Sequence, residues 1–269
     1  MKKNVNIAIV GFGNIGSYFY QTLKNKKKGI ELKTSKSLTI KYISAKNLNK
    51  KRKIKIPKSL WVKNPMSLCF KKDVDIIIEL IGGAEGISKK IVFSALKNKK
   101  HVITANKTLL AKYGDQLSII AEKNKVNLEY EASVAGGIPV IRSIKDGLIA
   151  NKINKVYGIL NGTCNYILSE MENSKDSFLN VLKRAQKLGY AEPGNPKLDL
   201  NGYDAFAKVR ILSSLSFNTN ISNKKCLMEG IENIEFKDID IADQLNFRIK
   251  LLGITEVINN KLFERVHPC

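Results

Sequence analysis

Arginine is scarce in this chain. Only six occur among 46 basic residues in 269, at positions 52, 142, 184, 210, 248 and 265. Nucleic-acid readers favour arginine and interleave aromatics for stacking, so the shortage argues against a nucleic-acid partner. Histidine is rarer still, with two residues, and the four cysteines (Cys69, Cys164, Cys226, Cys269) show no CxxC spacing. A zinc site and a disulfide framework are thereby disfavoured, and a reducing cytoplasm is the expected setting. Long apolar runs are also missing: residues 74–81 are interrupted by acids and too short for a bilayer, so no membrane partner is expected. The first 16 residues hold two lysines and an apolar stretch, but that stretch is too short for a secretory signal and ends in glycines. No internal repeat and no long flexible linker is present.

Lysine is abundant, clustered with asparagine at 24–28, 49–53 and 97–100, and gives a formal net charge of +22. Such runs read as solvated faces whose field attracts a phosphate-bearing ligand. Hydrophobic residues make up 43% and charged residues 26%, which suits a globular chain long enough for two cores. The first half alternates strand patterns (5–10, 38–44, 74–80, 101–104, 126–130) with amphipathic segments (15–24, 87–97, 109–123). This predicts an α/β fold with a doubly wound parallel sheet over residues 1–130. From Glu131 the pattern becomes mixed. A helix is expected at 141–150, a strand at 155–160, helices at 165–171, 177–188 and 203–215, and strands at 249–258 and 262–266. Residues 131–269 thus read as a second, α+β domain packed against the first.

A strand leading into Gly11-Phe12-Gly13-Asn14-Ile15-Gly16 and then a helix is a dinucleotide-binding pattern. Gly11 permits the turn, Gly13 lets a pyrophosphate approach the backbone, and Gly16 lets helix and strand pack closely. No acid lies between residues 40 and 53, where one would bind the adenosine ribose of NAD. Lys46, Lys51 or Arg52 is positioned instead for a 2′-phosphate, which favours NADP(H) over NAD(H). Gly82 and Gly83 follow the third strand and Lys107 the fourth, at ends that face a ligand in parallel sheets. Further on, Glu192, Asp199 and Asp204 gather within a basic chain, with Lys208 four residues after Asp204 on one helix face. Acids beside a lysine suit a small zwitterion that exchanges a proton; the plainer reading is a surface loop and an ordinary ion pair.

The segments GFGNIG (11–16), ELIGG (79–83), ANKTLLA (105–111), EASVAGGIPV (131–140), GILNGTCNYIL (158–168), GYAE (189–192) and LDLNGYDAFAK (198–208) occur in this order. Together they make the chain resemble the homoserine dehydrogenase family from about residue 5 to 268. The resemblance implies a Rossmann-type domain followed by a substrate-binding and dimerisation domain. It implies reduction of L-aspartate 4-semialdehyde to L-homoserine with NADPH or NADH, in threonine, methionine and isoleucine biosynthesis. By it Lys208 is the proton donor, with Lys107 and Asp204 as further catalytic residues. The implied substrate residues are Glu192, Asp199, Asp204, Asn161, Gly162 and Thr163, which hold an amino-acid substrate. The implied cofactor residues are the 11–16 turn, Lys107 and Gly189. A sodium ion is implied at Glu131, Val134, Gly136 and Ile138, and a homodimer through the second domain.

The pattern departs from the family in three places. One extra residue falls in the turn at 193–196. Cys164 stands where threonine is common, which raises a cysteine-nucleophile aldehyde dehydrogenase as an alternative, although no histidine lies in a pocket segment to activate it. The family also continues beyond Cys269, so the chain reads as a fragment without its closing segment or a regulatory domain. An inactive nucleotide-binding remnant is the other alternative.

Overall fold

A computed structural model describes residues 4–48, 50–194, 196–221 and 226–269. Asn49 of the basic loop and Asn195 of the 193–196 turn lie outside the described residues. The chain divides into two compact units, Met1–Gly137 and Ile138–Cys269.

The first unit is built on strands β1 (Asn4–Val10), β2 (Ser37–Ser44), β3 (Ile76–Glu79), β4 (His101–Thr104) and β5 (Leu128–Glu129). All pair in parallel, in the order β2-β1-β3-β4-β5. Parallel strands covered on both faces read as continuous apolar runs, and Ile7 to Val10 are all buried. Helices α1 (Asn14–Thr34), α2 (Ile87–Lys97) and α3 (Lys107–Lys123) supply crossovers, with short 3-10 turns at Lys58–Leu60 and Pro65–Phe70. Ile7, Ile9, Phe12, Leu23, Ile43 and Ile78 form one core cluster, against which Trp61 packs. Each such aliphatic side chain contributes roughly 1.5–3 kcal/mol when fully buried.

Helix α1 runs ten residues past the expected end at residue 24. The lysine run there is a strong helix former without an apolar stripe. A Lys27–Glu31 pair at 3.6 Å supports it, and Ser35, at φ 54°, ends it.

The second unit opens with a helical turn, α4 (Val140–Arg142), which widens into a π turn over Ser143–Gly147. A single α-helix over 141–150 was expected there. Both the N–H and the hydroxyl of Ser143 donate to the Pro139 carbonyl, so side chain and backbone share one acceptor. Then follow β6 (Lys155–Gly158), α5 (Gly162–Ser174), α6 (Phe178–Leu188), α7 (Lys197–Leu200), α8 (Tyr203–Phe217), β7 (Leu227–Met228), α9 (Phe236–Gln244), β8 (Leu251–Ile258) and β9 (Lys261–Pro268). The sheet order is β6-β8-β9-β7. β8 and β9 form an antiparallel hairpin turned by Asn259 and Asn260, both left-handed (φ 50° and 59°). α8 is buried from Asp204 to Ala207 and again at Val209, Ile211 and Leu212. An interior helix of this kind carries Asp204 out of solvent with it.

Candidate active site

In the first unit the strand order reverses between β1 and β3, and ligands of open parallel sheets bind beyond the carboxyl ends at such a point. Gly11 lies there at φ 99°, and a Cβ added to it would meet the Leu80 carbonyl carbon at 2.5 Å. Gly16 is equally constrained, since its Cβ would fall 2.4 Å from the Gly11 oxygen. Gly13 differs: a Cβ there would meet nothing within 4 Å. It is the N-cap of α1, with no side-chain cap and no acid in the first turn. The first-turn N–H groups therefore offer an anion site of the kind that holds a dinucleotide's phosphates. These residues fit the group. Asn14 and Ile15 are exposed on this turn, whereas the Phe12 ring turns inward, edge-on to Tyr20 and Trp61 at 6.0 and 5.4 Å.

Arg52 joins this turn to the loop after β2. Its guanidinium lies 4.8 Å from the centroid of Trp61 and 5.7 Å from that of Phe12. It donates to the carbonyls of Phe12 (3.4 Å), Leu48 (3.1 Å), Lys50 (3.0 Å) and Asn47 (2.7 Å). Arg52 is thus a fastener of the basic loop, while Lys46 is exposed on it. Beyond β3, Gly82 and Gly83 both adopt positive φ (85° and 82°), and Lys107 is the first residue of α3.

A second set of side chains meets in the other unit. Asn161 caps α5, its Oδ1 accepting from the Cys164 N–H at 2.8 Å. Its Nδ2 donates to Asp199 Oδ1 and to Asp204 Oδ2, each at 2.9 Å. One amide therefore holds two carboxylates that would otherwise repel. Lys208 Nζ donates to Asp204 Oδ2 at 2.8 Å and to the Leu160 carbonyl at 2.7 Å. The Lys208 and Asp204 side chains are only 15% and 5% exposed, so this pair is shielded from solvent, unlike a surface pair. Thr163 donates to the Tyr190 carbonyl at 2.8 Å, with Asp199 Oδ2 at 3.4 Å.

Asn161, Thr163, Asp199, Asp204 and Lys208 line an open cleft of about 700 Å³, together with Gly162, Asn165, Ser169 and Gly189. Its wall includes Tyr166 stacked on Tyr190, with centroids 4.2 Å apart. Gly189 ends α6 at φ 83°. The sequence pattern missed Asn165, Tyr166, Ser169, Tyr190 and the Leu160 carbonyl. For Asn165, Tyr166 and Ser169 the signal was helical spacing: 162, 165, 166 and 169 recur at three and four residues on one face of α5. Glu192 is exposed, and its carboxylate makes no hydrogen bond to Asp199, Asp204 or Lys208.

Cys164 is fully buried, and its thiol donates to the Asp199 carbonyl at 3.2 Å. Burial, with the charges of Asp199, Asp204 and Glu232, pushes its pKa up to about 12. A thiol so held is not a nucleophile at neutral pH, which removes the chemical basis of the cysteine-dependent alternative.

Of the residues expected to hold sodium, Glu131 begins a 3-10 turn and its carbonyl accepts from the N–H groups of Val134 and Ala135. Val134 is buried and Gly136 exposed. The carbonyl of Ile138, in the second unit, accepts from the Val140 N–H at 2.8 Å. Among the described residues no group of three or more His, Cys, Asp or Glu gathers to hold a metal. A further cavity of about 400 Å³, edged by Lys36, Asp75 and His101, lies by the amino-terminal ends of the first sheet's strands, away from the switch point.

Comparison with known proteins agrees with this two-part arrangement. Residues 11–131 match the model of the homoserine dehydrogenase NAD-binding domain, and residues 139–269 match that of homoserine dehydrogenase. The chain is 42% identical to homoserine dehydrogenase of Neisseria gonorrhoeae over 99% of its own length and 60% of the relative's. A homoserine dehydrogenase structure from Thiobacillus denitrificans superposes with a TM-score of 0.92 at 36% identity, covering 99% of this chain and 61% of that one. One from S. aureus gives 0.85 at 40% identity, covering 100% of this chain and 67% of that one. The chain thus spans about three fifths of the length of the curated relatives it matches. It belongs to the homoserine dehydrogenase family.

Proposed function

We propose that this chain interconverts L-aspartate 4-semialdehyde and L-homoserine with NAD(P)H, as a cytoplasmic enzyme of threonine, methionine and isoleucine biosynthesis. The observation that carries this reading is the shielded Lys208–Asp204 pair facing an acid-lined cleft. Bound NAD(P)H supplies the hydride; an NADPH complex is known for a hyperthermophilic archaeal homoserine dehydrogenase of the same fold. As the aldehyde is reduced its oxygen gains charge, and a positioned ammonium both stabilises and protonates it. Lys208 has three N–H bonds, of which Leu160 and Asp204 take two. The third is directed to the substrate oxygen. Asp204 holds the ammonium in place through their 2.8 Å ion pair. Asp199 and Asp204 receive the substrate's α-ammonium, Glu192 adds a charge at the rim, and Asn161, Gly162 and Thr163 shape the floor.

Lys107, Gly82, Gly83 and the 11–16 turn are assigned to the cofactor, Lys107 also to the substrate, and Gly189 is assigned to the cofactor as well. NADP(H) is preferred because the loop after β2 is basic and Arg52 holds it against the glycine turn. A sodium ion at Glu131, Val134, Gly136 and Ile138 is proposed from the family resemblance alone. Oxygen donors of the kind a carboxylate and backbone carbonyls supply suit a hard cation.

Self-association is assigned to the second sheet. Its register puts Tyr157, Phe263 and Leu227 on one face, away from the side that buries Leu251 and Val266. All three are exposed, at 68%, 43% and 57%, and share the face with the Lys155–Glu256–Arg265 ion pairs, a mixed surface offered to a second copy.

The test is turnover of homoserine and NADP by the purified chain and by Lys208→Ala. Loss of the general acid should lower the rate about 10²–10⁴-fold while cofactor affinity is kept. Equal rates for the two proteins would remove Lys208 from the chemistry.

A further inference from the structure

Glu79 is a fully buried carboxylate in the unit that binds the dinucleotide. All three of its hydrogen-bond neighbours are donors. Its Oε1 accepts from the N–H groups of Ile81 (2.8 Å) and Gly82 (3.1 Å), and its Oε2 accepts from the Thr104 hydroxyl (2.6 Å). An ionised carboxylate is acceptor-only, whereas glutamine would turn an NH₂ toward one of these donors. The Thr104 proton is therefore committed to Glu79, and its oxygen is left to accept from the Asn106 N–H at 3.0 Å.

Asn106 continues the chain. Its Nδ2 donates to the Gly83 carbonyl at 2.7 Å and to the Ser88 hydroxyl at 2.8 Å. Its Oδ1 accepts from Leu109 N–H at 3.1 Å, capping the helix that begins at Lys107. Thr104, Asn106 and Ser88 are all at most 5% exposed. Burying a charge and three polar side chains is costly unless every bond is made, and here the direction of each is fixed. What they fix together is the 81–83 loop, carrying two left-handed glycines, and the residue that precedes Lys107.

We propose that Glu79, Thr104 and Asn106 form a positioning relay that aligns the 81–83 loop with the start of α3, setting the nicotinamide half of the dinucleotide site. The inference rests on the NAD(P)H reading above. None of the three is a catalytic residue: they act through Gly82, Gly83 and Lys107.

Thr104→Val removes the hydroxyl at nearly constant volume, and Thr104→Ser restores it. Quenching of Trp61, the chain's one tryptophan, reports binding beside the glycine turn. Thr104→Val should weaken NADPH by about five-fold or more, since Glu79, which holds the loop, loses its hydrogen bond from Thr104. It should bind 2′-phospho-ADP-ribose, which lacks nicotinamide, within about two-fold of the unsubstituted protein. Thr104→Ser should recover NADPH binding. Amide exchange at Ile81 and Gly82 should accelerate in Thr104→Val and in Glu79→Gln. Unchanged NADPH binding in Thr104→Val, or equal losses for both ligands, would overturn the relay. An unsubstituted chain that binds neither ligand would instead overturn the dinucleotide reading and the relay with it.

Discussion

At the scale of single residues, what decides the chemistry is which polar groups are already spoken for. Asn161 spends both ends of its amide on local structure, one on the cap of α5 and the other on two carboxylates. Asn161→Ala should cost about 1–3 kcal/mol in thermal or denaturant unfolding, from the lost cap and charged hydrogen bonds. It should also slow turnover on the order of ten-fold, because Asp199 and Asp204 are no longer held in place against their mutual repulsion. Wild-type stability with intact activity would show the bridge to be idle. Cys164 makes the opposite case. Its thiol pKa is raised, so the thiolate is populated only as pH approaches about 12. Iodoacetamide at neutral pH should label exposed Cys269 and leave Cys164 unmodified by mass spectrometry. Rapid alkylation of Cys164 with loss of turnover would return the thiol to the mechanism. The sequence made the Lys208–Asp204 pairing legible, because i,i+4 spacing is fixed by helix geometry. It could not reveal that the Leu160 carbonyl shares the same ammonium across 48 residues of chain.

Among elements, α2 and the βαβ alternation were legible because apolar periodicity and flanking glycines agreed. The end of α1 was not, since lysine propagates a helix without marking a buried face. β7 and α9 also escaped. β7 is two residues long and exists only through its pairing with β9, and α9 is announced chiefly by its Glu235–Asp238 capping box. Long-range polar ties were equally hidden: Glu79 and Thr104 meet across neighbouring strands, 25 residues apart. One such tie lends itself to a pH test. Glu85 bridges Lys112 at 2.7 Å and Lys89 at 3.1 Å and accepts from Tyr113, fastening the start of α2 to α3. Lys112 and Tyr113, then Lys89, lower its pKa from 4.5 to about 2. A depressed folded-state pKa gives stabilisation that is full above the unfolded value and lost as pH falls through the folded one. The gap in thermal midpoint between wild type and Glu85→Gln should therefore be constant above pH 4.5 and close toward pH 2. A gap that stays open at the acid end would mean the ion pairs are not its source.

For the whole molecule, charge and self-association are the governing quantities. A net charge of +22 draws anionic cofactors, and the effect is screened by salt. The second-order rate for NADPH should fall with ionic strength more steeply than that for NADH, which lacks the 2′-phosphate. Parallel slopes would remove the basic loop as the discriminator. The exposed Tyr157–Phe263 face should make the chain dimeric by light scattering, and Tyr157→Lys should shift it toward monomer. The most direct measurement is simpler than either. The purified chain is mixed with homoserine and NADP at alkaline pH, where release of a proton draws the oxidation forward, and the absorbance of the reduced nicotinamide is followed. The expected result is a steady rise that Lys208→Ala abolishes. A folded chain that binds NADPH yet produces no rise would contradict the assignment and leave a nucleotide-binding protein without the reaction.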